Sequence, residues 1–466
     1  MVIMELTKAE ILALLAMAFG VFMDGVDASI VNIALPSIAE SFGTDTNAVA
    51  WVTITYFMMI AGLMLTFGRI ADSGHIKKVY IIGFALFSGA SLLCGLSQDL
   101  GTLVFARVIQ GIGAAMLGAI APMICVKFIS SSKLGLAMSI LMFSGAIGFG
   151  SGPAIGGFIV DMASWQWAFF INVPIGILAI LFAMRALPKD EPTSRSKLDL
   201  KGSTLMFITV ISGVYVLEMF SQDGQGIICA IMAVVMVVSL VAFISVERRA
   251  EHPMLNLRMF RNWQFDSSVM CYLIINVAFV GISYVVPFYL TKELGLSYTF
   301  AGLLILVPSV VTILLSIPAG HYGDVHGRRT VCIISAASMV VASIGYYLVN
   351  PEMGWLPFIP IGIMGGVVWG LCGNVASRIV DLSIDEEKGM ASTLSNFLYY
   401  TGGSIGTALF ASLVTFGSDA AGIPIGDLSP ETFMKGYTFA MMFAIPLALV
   451  ALFFAWIVNE NKVRTS

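Results

Sequence analysis

Long apolar runs alternate with short polar breaks along the 466 residues, and the breaks hold most of the charge. Eight runs of helix length lie near 10–33, 48–68, 79–97, 101–125, 134–160, 167–187, 201–220 and 226–246. Six more lie near 265–290, 299–320, 330–349, 356–379, 389–416 and 436–458. Each approaches the roughly 20 residues that a helix needs to cross bilayer hydrocarbon. The runs are continuous, whereas the strands of a membrane barrel alternate apolar and polar positions over about ten residues. A helix also satisfies its own backbone hydrogen bonds, for which hydrocarbon offers no partners. The pattern predicts an all-α polytopic membrane protein of fourteen transmembrane helices.

Charge orients these helices. Every lysine and arginine except Arg107, Lys292 and Lys435 lies near a terminus or in alternate connections. Connections rich in such residues stay on the cytoplasmic side. Both termini are therefore expected in the cytoplasm, in a multi-pass protein of the inner (cytoplasmic) membrane. Only 11% of residues are charged, against about 25% in a soluble protein, which leaves no material for a separate soluble domain. A net charge of −4 argues against nucleic acid as a partner. The six cysteines sit in apolar runs without paired spacing and read as small core residues. No phosphate loop or paired metal ligands stand out, so no metal and no cofactor are expected.

Two segments repeat. GRIADSGHIKK starts at Gly68 and GHYGDVHGRR at Gly320, a separation of 252 shared by Asp72 and Asp324. Each follows a long apolar run and reads as a tight turn, with glycine allowing close approach and aspartate capping a helix or pairing with a nearby base. The repeat divides the chain into six-helix halves at 1–187 and 265–466, with 188–264 a linker carrying two inserted helices. Two such halves around a central site are the plan of a secondary transporter.

At this point the chain resembles the major facilitator superfamily, and within it the fourteen-helix drug:proton antiporters of the multidrug efflux type. The family's loop motif, Gly-x-x-x-Asp-Arg-x-Gly-Arg-Arg, is matched by Gly320, Asp324, Gly327, Arg328 and Arg329. The first copy keeps Gly68 and Asp72 but has Ser73 and His75 where arginine and glycine are usual. DASIVNIALP from Asp27 resembles the helix 1 signature, and RVIQGIGAA from Arg107 the helix 4 motif associated with proton coupling. GFGSGPAIGG resembles the antiporter motif of helix 5 through Gly148, Gly152, Pro153, Gly156 and Gly157. WVTITYF at 51–57, WQWAFFINVPIG at 165–176 and NFLYYTGGSIGTAL at 396–409 add further matches.

Carboxylates at membrane depth are costly and normally face a bundle interior or water. Asp27, with Asp24 one turn earlier, is a proton or cation site on one reading and a structural partner for a buried arginine on the other. A single buried carboxylate can hold a proton or pair with a cationic substrate, so each would expel the other. Arg107 is either their counter-charge or an interfacial residue near a helix end. The glycines of helix 5 could equally serve any close helix contact. Asn276, Trp369, Asn374, Asn396 and Tyr400 are candidates for a substrate cavity, or packing residues. The resemblance implies a proton-driven exporter of lipophilic or cationic compounds, not an enzyme. The alternatives are an exporter of one metabolite or lipid, and a non-transporting membrane sensor.

Overall fold

In the computed structural model, residues 6–44, 46–191, 199–219, 225–250, 253, 255–418 and 428–458 are described. Polar residues in the breaks start and stop the helices. Thr7 and Glu10 form a capping box, with Glu10 Oε2 accepting from Thr7 N at 2.8 Å. Gly43, in the left-handed region, closes the same helix. Asp99, Asn262, Ser297 and Ser429 cap four later ones.

The helices are α1 (Lys8–Phe42), α2 (Thr46–Ile70), α3 (Ile76–Gly95), α4 (Leu100–Phe128), α5 (Leu134–Met162) and α6 (Trp167–Ala186). Next come α7 (Leu200–Met219) and α8 (Gly226–Glu247). Then follow α9 (Trp263–Phe288), α10 (Tyr298–His326), α11 (Arg329–Leu348), α12 (Phe358–Asp381), α13 (Lys388–Gly417) and α14 (Pro430–Ile457). The all-helical membrane architecture is thus that expected from the apolar runs. By apolarity alone α2 and α3 form one stretch, Trp51–Gly95. A π turn over Ala71–His75, with Gly74 at φ 98°, divides it.

The repeated segments differ from the tight turns expected of them. Gly68 and Gly320 are helical residues, and Asp324 lies in the last turns of α10. The chain breaks later, at Gly327 (φ 91°) in the second copy and at Gly74 in the first. His75 occupies the position matching Gly327, and a side chain there disfavours positive φ. Gly74, one residue earlier, supplies that conformation instead.

The chain divides into two compact units. One comprises Met1–Ile211, Met236–Leu257 and Asp385–Phe397; the other comprises Ser212–Val235, Arg258–Ile384 and Leu398–Ser466. Within the first, α1 packs on α5, α4 and α6, α4 on α2 and α3, and α3 on α6. Within the second, α9 packs on α12 and α14, α12 on α10 and α11, and α11 on α14. Glycine contacts add α9 on α13, through Gly406 against the Val277 carbonyl. The second set is the first moved on by eight helices, so the repeat extends to how the helices pair.

Small residues make these contacts close. Gly148 lies against the Phe22 carbonyl of α1, and a Cβ on Gly113 of α4 would stand 2.6 Å from the Phe87 nitrogen of α3. Backbone cannot retreat from a methyl group as a side chain can. Gly113→Ala should therefore lower stability by about 1–3 kcal/mol. Gly89→Ala, on an open face of α3, should leave it unchanged. Thermal unfolding of the two purified variants in one detergent tests the contrast.

Candidate functional site

Five helices of the first unit converge on Asp27. Arg107 Nη1 donates to Asp27 Oδ2 at 2.8 Å and to Gln110 Oε1 at 2.7 Å. Arg107 Nε donates to the Val52 carbonyl at 2.9 Å. Gln110 Nε2 donates to Asp27 Oδ1 at 3.0 Å and to Ser91 Oγ at 2.8 Å. Asn172 Nδ2 donates to Asp27 Oδ1 at 2.7 Å. The Tyr56 ring lies 3.9 Å from Arg107 Cζ, within cation–π range. Asp27, Arg107, Gln110 and Asn172 have no exposed surface. The pair is the sort that survives burial: opposite charges in contact, with most remaining capacity taken by neutral donors and acceptors.

Arg107 is therefore a core residue and not an interfacial one. Gln110 stands three residues on and shares its helix face. Gln110, Asn172 and Tyr56 went unmarked as chemistry, although each lies in a string matched to the family. Neutral amides and aromatics attract no notice in an apolar run, and the spacing from Arg107 to Gln110 was the available signal. Asp24 is partly exposed and accepts a 2.7 Å bond from the Tyr56 hydroxyl.

Gly148 and Gly152 hold α5 against α1, Gly152 directly against Ser29 Oγ. Serine in place of the usual threonine leaves one methyl group fewer to house at that crossing. Pro153, Gly156 and Gly157 continue the helix, and their surroundings fall outside the described residues.

The two loop motifs are ionic. In the first unit Asp72 pairs with Lys127 (3.0 Å) and Arg69 (3.5 Å), and Arg69 also pairs with Glu387 (3.0 Å). Arg69 and Lys127 thus supply the positive charge that Ser73 does not. In the second unit Arg328 pairs with Asp324 (2.9 Å) and Asp381 (2.5 Å). Burial works against the Arg328 charge, but Asp381 and Asp324 outweigh it and hold the guanidinium above its ordinary pKa. Arg329 and Arg378 donate to the last carbonyls of α14. Arg378, counted above among the connections, is instead a buried residue of the last turn of α12.

The five cavity candidates do not form one cluster. Trp369 stacks on Phe279 (4.5 Å, 14°) and meets Tyr399, which touches Tyr400. Asn276 spends its donor on the Tyr272 carbonyl and packs on Gly402. Asn374 lies wholly buried against Gly323, away from those rings along α12. Asn396 belongs to the first unit and donates to the Gly118 carbonyl.

Removing one member of a buried pair strands the other. Arg107→Met should cost about 3–5 kcal/mol, and the double variant with Asp27→Asn should recover part of that loss. Unfolding midpoints of the two single variants and the double variant measure the coupling. Additive losses would mean that the two charges do not stabilise each other.

Comparison with known proteins bears on the whole chain. The riboflavin transporter RibZ of Clostridioides difficile is 27% identical over 419 residues, 88% of this chain and 90% of that protein. Multidrug resistance protein 3 of Bacillus subtilis is 27% identical over 415 residues, 88% of this chain and 80% of its own length. Among solved structures, the human organic anion transporter MFSD10 superposes with a TM-score of 0.70 at 13% identity, over 96% of this chain and 100% of that one. That likeness shows the fold. The family model of the Major Facilitator Superfamily matches residues 17–407 and 268–466. This chain is a membrane transporter of the major facilitator superfamily.

Proposed function

We propose that the chain is a proton-coupled antiporter of the fourteen-helix drug:proton type, exporting amphipathic or cationic compounds across the cytoplasmic membrane. On this reading both termini are cytoplasmic, the proton gradient drives transport without a cofactor, and 1–187 and 265–466 rock about a central site while 188–264 stays peripheral. The observation that carries the reading is Asp27, a wholly buried carboxylate whose charge is balanced by Arg107. A proton on Asp27 would leave Arg107 unbalanced in a low-dielectric site. Protonation and the arrangement of α1, α2, α4 and α6 would then depend on each other, and a ligand can shift such an equilibrium only through its differential affinity for the two states.

A second reading, export of one planar metabolite, draws support from the Phe279–Trp369 stack and from the similarity to a riboflavin transporter. Proteoliposomes loaded in turn with ethidium and with riboflavin separate the two readings.

In the same vesicles an imposed pH gradient should drive ethidium export by the wild-type protein, with protons moving the opposite way. Asp27→Asn, a fixed neutral mimic, should bind ethidium yet abolish gradient-driven export. Export by Asp27→Asn at the wild-type rate, with unchanged pH dependence, would remove Asp27 from the coupling.

A further inference from the structure

A substrate cannot touch Asp27. The carboxylate has no exposed surface, and both of its oxygens are held by Arg107, Gln110 and Asn172. Direct competition between proton and substrate on that one group therefore lacks a route. Asp24 differs, being partly exposed one turn earlier on α1. Tyr56 of α2 touches both systems. Its hydroxyl donates to Asp24 Oδ1 at 2.7 Å, and its ring face lies 3.9 Å from Arg107 Cζ. Fully buried itself, it has one polar end and one π face, and each is in use.

We propose that Asp24 is the carboxylate that meets the positive charge of a cationic substrate, and that Tyr56 is the positioning residue that transmits this occupancy to the Asp27–Arg107 pair. The proposal rests on the antiport reading and replaces direct competition with competition between two carboxylates. A phenol that donates to a carboxylate carries a more electron-rich ring, which holds a guanidinium more firmly. A cation on Asp24 draws that carboxylate away from the phenol, and the ring relaxes its hold on Arg107. Arg107, already 2.8 Å from Asp27 Oδ2, then shares less of its charge with the ring, and its pairing with the Asp27 carboxylate strengthens. The Asp27 proton leaves to water, and the carboxylate that remains pairs with Arg107. By reciprocity, a proton on Asp27 weakens cation binding at Asp24 by the same factor.

The surroundings of Asp27 give Arg107 this leverage. From α4 come Arg107 and Gln110, from α6 Asn172, and from α2 Tyr56 and the Val52 carbonyl. The Cys94 thiol of α3 approaches through Gln110 at 3.6 Å. α5, packed along α1, carries one ionisable residue, Asp161, in its last turn. Arg107 is the one cation in contact with Asp27 among the described residues, so its position sets the charge balance.

Two variants test the inference in purified full-length protein, with ethidium as a permanent cation and Nile red as a neutral probe. Binding is measured at several pH values, and proton release is followed with an indicator in weak buffer. The wild-type protein should release protons on binding ethidium, more tightly bound as pH rises, and none on binding Nile red. Asp24→Asn should weaken ethidium by roughly tenfold, the loss of one ion pair, and leave Nile red unchanged. Tyr56→Phe keeps the ring over Arg107 and should retain most ethidium affinity, while losing at least half of the proton release and flattening the pH profile. Wild-type release in Tyr56→Phe, or wild-type ethidium affinity in Asp24→Asn, would overturn the inference and leave the antiport reading standing. Ethidium binding to the wild-type protein without proton release would sink both.

Discussion

A charge buried among membrane helices has to be matched where it stands, and the Asp27–Arg107 pair sets that requirement for the first unit. Meeting it takes groups from α1, α2, α3, α4 and α6, down to the Val52 carbonyl and the Ser91 hydroxyl. Short side chains reach one another only if the backbones approach closely, and the glycines permit it. A Cβ on Gly111, one turn from Arg107, would stand 2.8 Å from the Tyr56 carbonyl. Gly113 does the same for α4 against α3, and Gly148 for α5 against α1. The glycine content of these helices is therefore part of the electrostatics, since a looser bundle would leave the pair without its amide partners.

The helices were legible because a bilayer demands apolar side chains throughout a span, so that every polar break in the sequence marks an end. The charged members of the site were legible for the same reason, Asp27 and Arg107 being conspicuous in hydrocarbon. Their neutral partners were not. Asn172 lies far along the chain from Asp27, and only the crossing of α6 with α1 brings the amide to the carboxylate. Tyr56 looks like any aromatic residue of an apolar run until its ring is found against Arg107. The second-half polar residues do not form one cluster, and two of them, Asn276 and Asn396, donate to backbone carbonyls, a use that periodicity cannot distinguish from ligand contact.

The two loop motifs show how a repeat tolerates divergence. What each copy needs is a helix break and compensated charge, not particular residues at particular places. Gly74 takes the positive φ that Gly327 takes in the other copy, one position out of step. Arg69 and Lys127 balance Asp72 from positions outside the usual motif, whereas Arg328 balances Asp324 and Asp381 from within it. Loop departures that look damaging in the sequence are repaired by neighbours that the fold brings close.

The same repeat exposes a difference between the units at the site itself. A spacing of 252 relates Gly68 to Gly320, and it also relates Asp24 to Asn276, Asp27 to Phe279 and Tyr56 to Pro308. Close-approach glycines support this register. Gly111 lies on the Tyr56 carbonyl and Gly366 on the Pro308 carbonyl, with Cβ positions 2.8 and 2.6 Å from the oxygens. Counting back four residues in each helix sets Arg107 against Gly362, and the neighbouring position sets Gln110 against Gly365. In the second unit both ionic partners are therefore gone together, which is what burial dictates, because either charge alone would be stranded. The vacated volume is filled by Phe279, against which Gly365 packs and Trp369 stacks. One framework thus carries a charge pair in its first copy and an aromatic stack in its second.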